Sequence, residues 1–353
     1  MNLGIICEFN PIHEGHKHLI STVKGENDAV ICAMSGNFVQ RGEFAVYDKF
    51  ERAKSAIEAG ADLVIEIPTL CSTLSAQGFA KAGVDILEAT GISNAIAFGS
   101  ECGNINELKR IANEIKEKDE LIKAELAKGV SYPAARQNVI ASPVLEGAND
   151  ILAIEYISQT VLDTIAVKRI GKGHDSDDEE HSSSEIRKHL SLDDISSLKN
   201  CEKAVLYKLR TMNEADFLNI DDVSEGLENR IVGAVKTAKT LDELYDMIKT
   251  KRYTHSRIRR IILRAYLGIT KDMPKNPQYL RVLAFNSKGR ELLSEMKKRA
   301  VLPVITKYGD AKAQGDETKK LFELESQFTD IFHLGYKIPR PCEEEKTKQI
   351  YII

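Results

Sequence analysis

Short apolar runs alternate with amphipathic segments through the first half of the chain. The runs occupy residues 3–7, 29–34, 62–67, 95–98 and 164–170. Their length and the turn-forming residues around them predict buried strands. Between them, the helical apolar period predicts helices, among them residues 48–59 and 75–90. This alternation predicts an α/β fold with a Rossmann-like parallel sheet and right-handed crossovers.

The later part of the chain has a different pattern. Further helices are predicted at residues 104–128, from 132, at 151–162 and at 182–190, and the acidic stretch 171–181 is predicted to be a mobile loop. After residue 192 the strand signals fade, and helical periodicity predicts helices at 202–212, 227–238, 241–249 and 254–267. We therefore expect an α/β domain at 1–195 and a mainly helical domain at 196–353.

The first strand leads into the sequence His13-Glu14-Gly15-His16. Histidines three residues apart in a first helical turn share one face, and Gly15 lets another group approach the backbone. A helix N-terminus after a strand attracts phosphate, because its N–H groups lack partners. The alternative is that both histidines are ordinary solvated residues. Their place at the first strand–helix turn favours a phosphate site, since open α/β sheets bind ligands there.

Composition excludes several classes of protein. The 353 residues suffice for two domains, and the net charge is −4. The chain has no apolar run of membrane-spanning length and no secretory leader pattern, so we expect a cytoplasmic protein without a membrane partner. Its six cysteines are scattered without a CxxC pair, which indicates neither a zinc site nor a disulfide framework. We expect no protein-held metal.

Charge is divided unevenly between the two parts of the chain. Residues 201–353 carry 29 basic and 22 acidic residues, a balance of +7, against −11 for residues 1–200. Seven cations and no acid lie within residues 249–264. A solvated helix face is one interpretation, and a polyanion-binding surface is the favoured one. The candidate nucleic-acid contacts are Lys251, Arg252, Arg257, Arg260 and Arg264, beside the possible stacking residues Tyr253 and His255.

The HEGH sequence resembles the HxGH signature of the nucleotidyltransferase superfamily, which holds ATP phosphates. A wider set of segments resembles the bacterial tRNA(Met) cytidine acetate ligases: GIICEFNPIHEGH, AMSGNFVQRGE, KFERAKSAIEAGADLVIEIP, SAQGFAKAGVDIL, FGSECG, SYPAAR, NDILAIEY, VKRIG, SSSEIR and KTKRYTHSRIRRIIL. The chain departs from the usual pattern at 147–150 (Gly-Ala-Asn-Asp for Ser-Pro-Asn-Asn), at 173–175, and at Ser184, where threonine is usual. Ser184 and Arg187 are candidates to clamp phosphate, plain helix capping being the alternative.

The resemblance implies which residues bind ATP and what the enzyme makes. The implied ATP site comprises Cys7, Glu8, Phe9, Asn10, Pro11, Ile12, His13, Glu14, Gly15, His16, Lys17, His18, Leu19 and Ile20, with Gly99, Asn149 and Arg169. His13 and His16 are the implied catalytic residues. The implied reaction joins acetate to the wobble cytidine of elongator tRNA(Met) through acetyl-adenylate, giving N4-acetylcytidine.

Three expectations about partners and two alternatives accompany this assignment. ATP, acetate and elongator tRNA(Met) are the expected partners, Mg²⁺ is expected to offset the charge of ATP, and no obligate protein partner is evident. One alternative is a small-molecule adenylyltransferase of the HxGH type, which needs no basic second domain. The other is a non-catalytic tRNA-binding protein with a vestigial ATP site.

Overall fold

The strands of the protein form one large sheet and a small hairpin. The structure, a computed structural model, describes residues 1–169, 182–224 and 226–353, so the predicted acidic loop at 171–181 lies outside the described residues. Within these residues the strands are β1 Asn2–Cys7, β2 Ala29–Ser35, β3 Phe38–Val39, β4 Glu43–Phe44, β5 Leu63–Ile67, β6 Ala95–Ser100, β7 Asp163–Lys168, β8 Leu280–Phe285, β9 Val304–Ile305 and β10 Tyr351–Ile352.

Helices connect and cover these strands. Those before β8 are α1 Glu14–Val23, α2 Lys49–Glu58, α3 Thr69–Ser72, α4 Ala76–Ala89, α5 Ile105–Glu117, α6 Asp119–Ala127, α7 Tyr132–Ile140, α8 Ala148–Gln159, α9 Ser183–His189, α10 Glu202–Arg210, α11 Glu214–Leu218, α12 Leu227–Val235, α13 Leu241–Ile248 and α14 His255–Leu267. After β8 come α15 Ser287–Arg299, α16 Tyr308–Ala313, α17 Asp316–His333 and α18 Glu344–Thr347. In the described ranges, no helix has the length and apolar character needed to cross a membrane.

The sheet has the strand order of a doubly wound fold. Its sequence is β10-β8-β5-β2-β1-β6-β7, and the five strands from β5 to β7 are parallel. The chain builds outward from β1 to β2 and β5, then returns to add β6 and β7 on the other side. The order therefore reverses between β1 and β6, which is where open α/β sheets bind ligands at their carboxyl ends. The predicted Rossmann-like sheet is confirmed.

Two details of the prediction were wrong. The segment 104–128 forms two helices, α5 and α6, because the backbone leaves helical geometry at Lys118 (φ −99°, ψ 19°), which neither glycine nor proline marks in the sequence. Strands also continue beyond residue 192. β8 is wholly buried and pairs antiparallel with β5, while β9 and β10 pair with β8. Arg281 interrupts the apolar run of β8, which hid this strand from the pattern.

The helical layer packs against the hairpin at one end of the sheet. Helices α10 to α14 and α17 surround a second apolar core that includes Phe38 and Phe44 of the β3–β4 hairpin. Ile258, Ile261 and Ile262 of α14 are fully buried in this core, as the helical period predicts. Residues after the predicted boundary near 195 thus contribute both to this layer and to the sheet.

A buried charged cluster fastens the end of the chain to the sheet. The Nζ of Lys49 lies 2.7 Å from Oε1 of Glu66 and 2.6 Å from Oε2 of Glu345. The Nε of Arg281 lies 3.1 Å from Oε1 of Glu345. Burial acts to raise the pKa of Glu345, but these two cations outweigh it and lower that pKa. The cluster thereby joins α2, β5, β8 and α18.

Glu345→Gln should lower the free energy of unfolding by about 3–5 kcal/mol, because it leaves buried cations without their carboxylate. Glu325→Gln is the matched control. Burial, followed by the charge of Glu66, raises the pKa of Glu325 to about 8, so this carboxyl is neutral at pH 7 and glutamine should change stability by only about 1 kcal/mol. Denaturant unfolding at pH 7 measures both. Equal losses in the two variants would contradict the assigned charges.

Candidate active site at the end of the first strand

The turn between β1 and α1 lies where the strand order of the sheet reverses. Phe9 adopts a left-handed backbone (φ 45°), and the Asn10–Pro11 peptide bond is cis. Asn10 Oδ1 accepts a hydrogen bond from the backbone N–H of Val46 at 2.8 Å. The Phe9 ring is buried and meets the His16 ring edge-on, with 4.9 Å between centroids. These contacts fix the path of the chain into α1.

His13 and His16 cap the first turn of α1 reciprocally. The backbone N–H of Gly15 donates to Nδ1 of His13 at 3.0 Å, and the backbone N–H of His13 donates to Nδ1 of His16 at 3.3 Å. A ring nitrogen that accepts a hydrogen bond carries no proton, so each neutral imidazole holds its proton on Nε2. The backbone therefore assigns both rings as Nε2–H donors, with 3.9 Å between their centroids.

The electrostatics keep His16 neutral. Burial, then the neighbouring His13 and then the charge of Arg169, lower the pKa of His16 to about 3. At neutral pH this ring donates a hydrogen bond without carrying a charge. Arg169 is near enough to influence it, although 153 positions separate the two residues in the sequence. The turn and the end of β7 therefore lie at the same edge of the sheet, where the parallel strands β1, β6 and β7 end.

Helix α9 docks onto the outside of this turn. Ser182 is its N-cap and accepts from the backbone N–H of Glu185 at 3.1 Å. The Ser183 hydroxyl donates to the carbonyl of Pro11 at 2.8 Å, and Arg187 Nη1 donates to the carbonyl of Asn10 at 2.7 Å. Arg187 Nη2 also donates to Ser184 Oγ at 3.1 Å. The structure thus brings Ser184 and Arg187 to the edge of the turn.

Gly99, Arg169 and Asn149 lie along the β6 side of the crevice. Gly99 pairs with Val167 in the β6–β7 ladder, and a Cβ at Gly99 would lie 3.5 Å from Cγ of Arg169. The backbone N–H of Arg169 donates to the carbonyl of Ser100 at 3.0 Å. Asn149 lies in the first turn of α8. Residues far apart in the sequence are therefore collected at the carboxyl ends of β1, β6 and β7.

Several residues of the predicted ATP site serve the fold of the turn. Leu19 and Ile20 are buried in the apolar core of the sheet, and Ile12 packs against the same core. Burial, reinforced by Cys32, raises the pKa of the Cys7 thiol, which makes it a poor nucleophile. Glu8 Oε1 accepts from the backbone N–H of Gln40 at 2.7 Å.

The outer face of α1 carries charged and polar side chains. Glu14 and Lys17 form an exposed ion pair at 2.7 Å. Nδ1 of His18 lies 3.5 Å from Oγ1 of Thr22 one turn later. A Cβ at Gly15 would lie 2.8 Å from Cε1 of His13, so glycine is needed for the capping geometry. The role of these residues in ATP binding stays a prediction.

Sequence reasoning missed a buried arginine that holds the turn from beneath. Arg52 Nη1 donates to the carbonyl of Glu8 at 2.5 Å, and Nη2 donates to the carbonyls of Ser35 and Gly36. Burial lowers the pKa of Arg52 to about 10 despite nearby carboxylates, so it remains charged at neutral pH. It ties the ends of β1 and β2 together. In the sequence, Arg52 is simply a basic residue near the alanines of α2, and no local pattern indicates its contacts with β1 and β2.

The predicted cationic face of α14 needs correction. Arg264 is 2% exposed and pairs with Asp221 at 2.7 Å, and Arg260 pairs with Asp222 at 3.2 Å. Arg257 donates to the carbonyl of Asp222 and is half-buried. The sequence of the cluster contains no acid, yet its acidic partners come from the loop after α11. Arg260 and Arg264 are structural, and the accessible candidates are Lys251, Arg252 and Arg257.

The described ranges contain no group of three histidine, cysteine, aspartate or glutamate side chains that could hold a metal ion. The residues around the turn therefore do not fit a protein-held Mg²⁺ cage. The donors at this site, imidazole N–H and guanidinium groups, suit phosphate oxygens instead.

His16→Asn should make stability less sensitive to acid, because asparagine keeps an acceptor for the His13 N–H but does not titrate. Unfolded histidine binds a proton near pH 6.5 and folded His16 near 3, so the wild type loses stability as pH falls below about 6.5. By about pH 5 that loss reaches up to about 2 kcal/mol. Denaturant unfolding at about pH 6.5 and about pH 5 measures this loss in the wild type and in His16→Asn. His189→Asn, at an exposed histidine, is the control. Equal pH slopes in wild type and His16→Asn would contradict the buried neutral ring.

Comparison with known proteins agrees with this architecture. The family described as HIGH Nucleotidyl Transferase matches residues 1–203 and 192–349. The tRNA(Met) cytidine acetate ligase of Acetivibrio thermocellus is 36% identical over 99% of both chains, and that of Thermoanaerobacter sp. strain X514 is 38% identical over 95% of both. The crystal structure of Thermotoga maritima TmcAL bound with alpha-thio ATP covers 100% of this chain and 99% of its own, with a TM-score of 0.88 and 30% identity. The chain therefore belongs to the tRNA(Met) cytidine acetate ligase family of HIGH nucleotidyl transferases.

Proposed function

We propose that this enzyme activates acetate with ATP and transfers the acetyl group to the N4 amine of the wobble cytidine of elongator tRNA(Met). The product is N4-acetylcytidine. The observation that carries the proposal is the pair of Nε2–H donors, His13 and His16, at the reversal point of the sheet. The relatives named for this activity match the chain over nearly its whole length, which supports the choice of substrates.

Adenylation solves a leaving-group problem. Acetate does not acylate an amine directly, because oxide would have to leave. An acetate oxygen attacks the α-phosphorus of ATP, the bond to the bridging oxygen breaks, and pyrophosphate leaves. His13 and His16 donate hydrogen bonds to the phosphoryl oxygens, on which charge redistributes in the transition state. Arg169 adds positive charge on the β7 side of the crevice.

Acetyl transfer completes the reaction. The exocyclic amine of cytidine attacks the carbonyl carbon of acetyl-adenylate, AMP leaves, and the amine loses one proton. Mg²⁺, when bound, neutralises charge on ATP, and we propose that it arrives on the phosphate oxygens. Ser184 and Arg187 at the rim are proposed to hold the triphosphate against the turn, beside the Asn10 and Pro11 carbonyls that α9 already contacts.

Transfer to RNA requires a surface that binds phosphates. We assign this role to Lys251, Arg252 and Arg257 at the start of α14, where Lys251 is exposed and Arg252 and Arg257 are half-buried. Tyr253 is buried and its ring lies beneath the Arg257 guanidinium at 5.2 Å. It therefore orients a cation instead of stacking on a base. The balance of +7 over residues 201–353 supports a polyanionic partner.

Incubation with ATP, acetate labelled with ¹⁸O in both oxygens, and total tRNA tests the proposal. We expect N4-acetylcytidine in the nucleoside digest and one ¹⁸O atom in AMP, because the attacking acetate oxygen stays on phosphorus. ADP as the product, or AMP without label, would contradict adenylation. Full turnover of ATP without tRNA would instead favour a small-molecule adenylyltransferase.

His13→Ala and His16→Ala should each lower acetate-dependent exchange of pyrophosphate into ATP by about 10²–10³-fold, the usual effect of removing one donor to a transition-state oxyanion. Binding of tRNA should not change, because the RNA surface lies elsewhere. Filter binding and the exchange assay measure the two properties separately. Exchange at the wild-type rate in either variant would refute these roles.

Replacing both Lys251 and Arg252 with alanine should weaken tRNA binding and reduce its salt dependence by about one or two phosphate contacts. Pyrophosphate exchange should stay at the wild-type rate. Unchanged tRNA affinity in the double variant would show that RNA binds another surface.

Arg264→Ala should lower the free energy of unfolding by about 3 kcal/mol, since it leaves Asp221 with one cation fewer in a buried setting.

A further inference from the structure

Two carboxylates cross-link the end of β6 to the start of α8. Glu101 Oε1 accepts from the backbone N–H of Asn149 at 3.1 Å, and Oε2 accepts from the backbone N–H of Asp150 at 2.8 Å. In return, Asp150 accepts from Ser100 Oγ and from the backbone N–H groups of Glu101 and Cys102, both at 3.0 Å. Each carboxylate thus accepts hydrogen bonds from backbone N–H groups of the segment that carries the other carboxylate.

Helix α8 depends on this partner from another element. Its own N-cap residue, Gly147, has no side chain to cap the exposed N–H groups, and Glu101 supplies the missing acceptor. A Cβ at Gly147 would lie 2.8 Å from Oε2 of Glu101, so the glycine leaves room for that carboxylate. Asp150 is 2% exposed, which makes its side of the cross-link rigid.

The cross-link fixes the side chain of Asn149 as well as its backbone. Asn149 Nδ2 donates to Glu101 Oε1 at 2.5 Å. That bond orients the amide so that the carbonyl Oδ1, an acceptor, is turned away from Glu101. A ligand atom that meets Oδ1 must be a hydrogen-bond donor, such as a hydroxyl or amine of a nucleoside. Two nearby carboxylates also disfavour a phosphate there.

The same segment continues into the proposed nucleotide crevice. Ser100, which donates to Asp150, accepts from the backbone N–H of Arg169 through its carbonyl. Gly99 precedes it in β6. The positions of Gly99, Arg169 and Asn149 therefore depend on one short stretch of chain held on both sides.

We infer that Glu101 is a positioning residue for nucleotide binding, which sets Asn149 to accept a hydrogen bond from the nucleoside part of ATP. The inference rests on the proposed function. Glu101 does not touch the reacting atoms and acts through Asn149. Removal of the Glu101 carboxylate should therefore weaken the binding of ATP and leave the binding of pyrophosphate unchanged.

Acetate-dependent exchange between pyrophosphate and ATP tests this with four variants. Glu101→Gln replaces a carboxylate that accepts through both oxygens with a neutral amide that accepts through one. It should raise the KM for ATP about tenfold. The KM for pyrophosphate and the melting temperature should change little. Asn149→Ala should raise the KM for ATP similarly. In the double variant the effects should not add, because Glu101 acts through Asn149. The matched control is Glu88→Gln, whose carboxylate accepts from Thr160 Oγ1 and the Val161 N–H at the opposite end of α8.

The outcomes separate the inference from the proposed function. A Glu101→Gln enzyme with the ATP KM of Glu88→Gln would overturn the inference, as would additive effects in the double variant. Equal rises in the KM values for ATP and pyrophosphate would overturn the nucleoside contact. Wild-type enzyme that binds ATP in calorimetry but shows no exchange would refute adenylation alone, and Kd values from calorimetry would then test Glu101 in the same variants.

Discussion

The reciprocal hydrogen bonds between the backbone and the rings of His13 and His16 are the constraint on which the site depends. Each ring accepts one backbone N–H through Nδ1, and so each presents Nε2 as a donor. The bonds that begin helix α1 thus also decide the tautomer of the two residues proposed for catalysis. Burial keeps His16 neutral, with a pKa of about 3, so its role as a donor does not depend on pH in the physiological range.

The rest of the fold holds this turn from several directions. Arg52 grips the carbonyls at the ends of β1 and β2 from beneath, and Arg187 of α9 holds the Asn10 carbonyl from outside. The β3–β4 hairpin joins the turn to the helical layer: the Gln40 N–H donates to Glu8, and Glu43 pairs with Arg259 of α14. The hairpin therefore connects the proposed RNA surface to the proposed ATP site.

Local patterns in the sequence predicted most elements of the first half. Apolar runs predicted β1, β2, β5, β6 and β7, and the structure places His13 and His16 after β1, where the strand order reverses. Long-range partners could not be predicted in this way. Arg260 and Arg264 belong to a cluster without acids, yet Asp222 and Asp221 neutralise them from about 40 residues upstream. Arg281 interrupts the apolar run of β8, so the pattern did not indicate a strand there. Glu101 and Asp150 are 49 positions apart, and a local periodicity cannot indicate a contact over that distance.

A crystal structure of this protein with a non-hydrolysable ATP analogue tests the central claim most directly. The distances to measure run from Nε2 of His13 and Nε2 of His16 to the nearest phosphate oxygens. We predict that both distances are about 2.7–3.2 Å, with the triphosphate at the first turn of α1. A triphosphate bound elsewhere, with both Nε2 atoms contacting only protein, would contradict it.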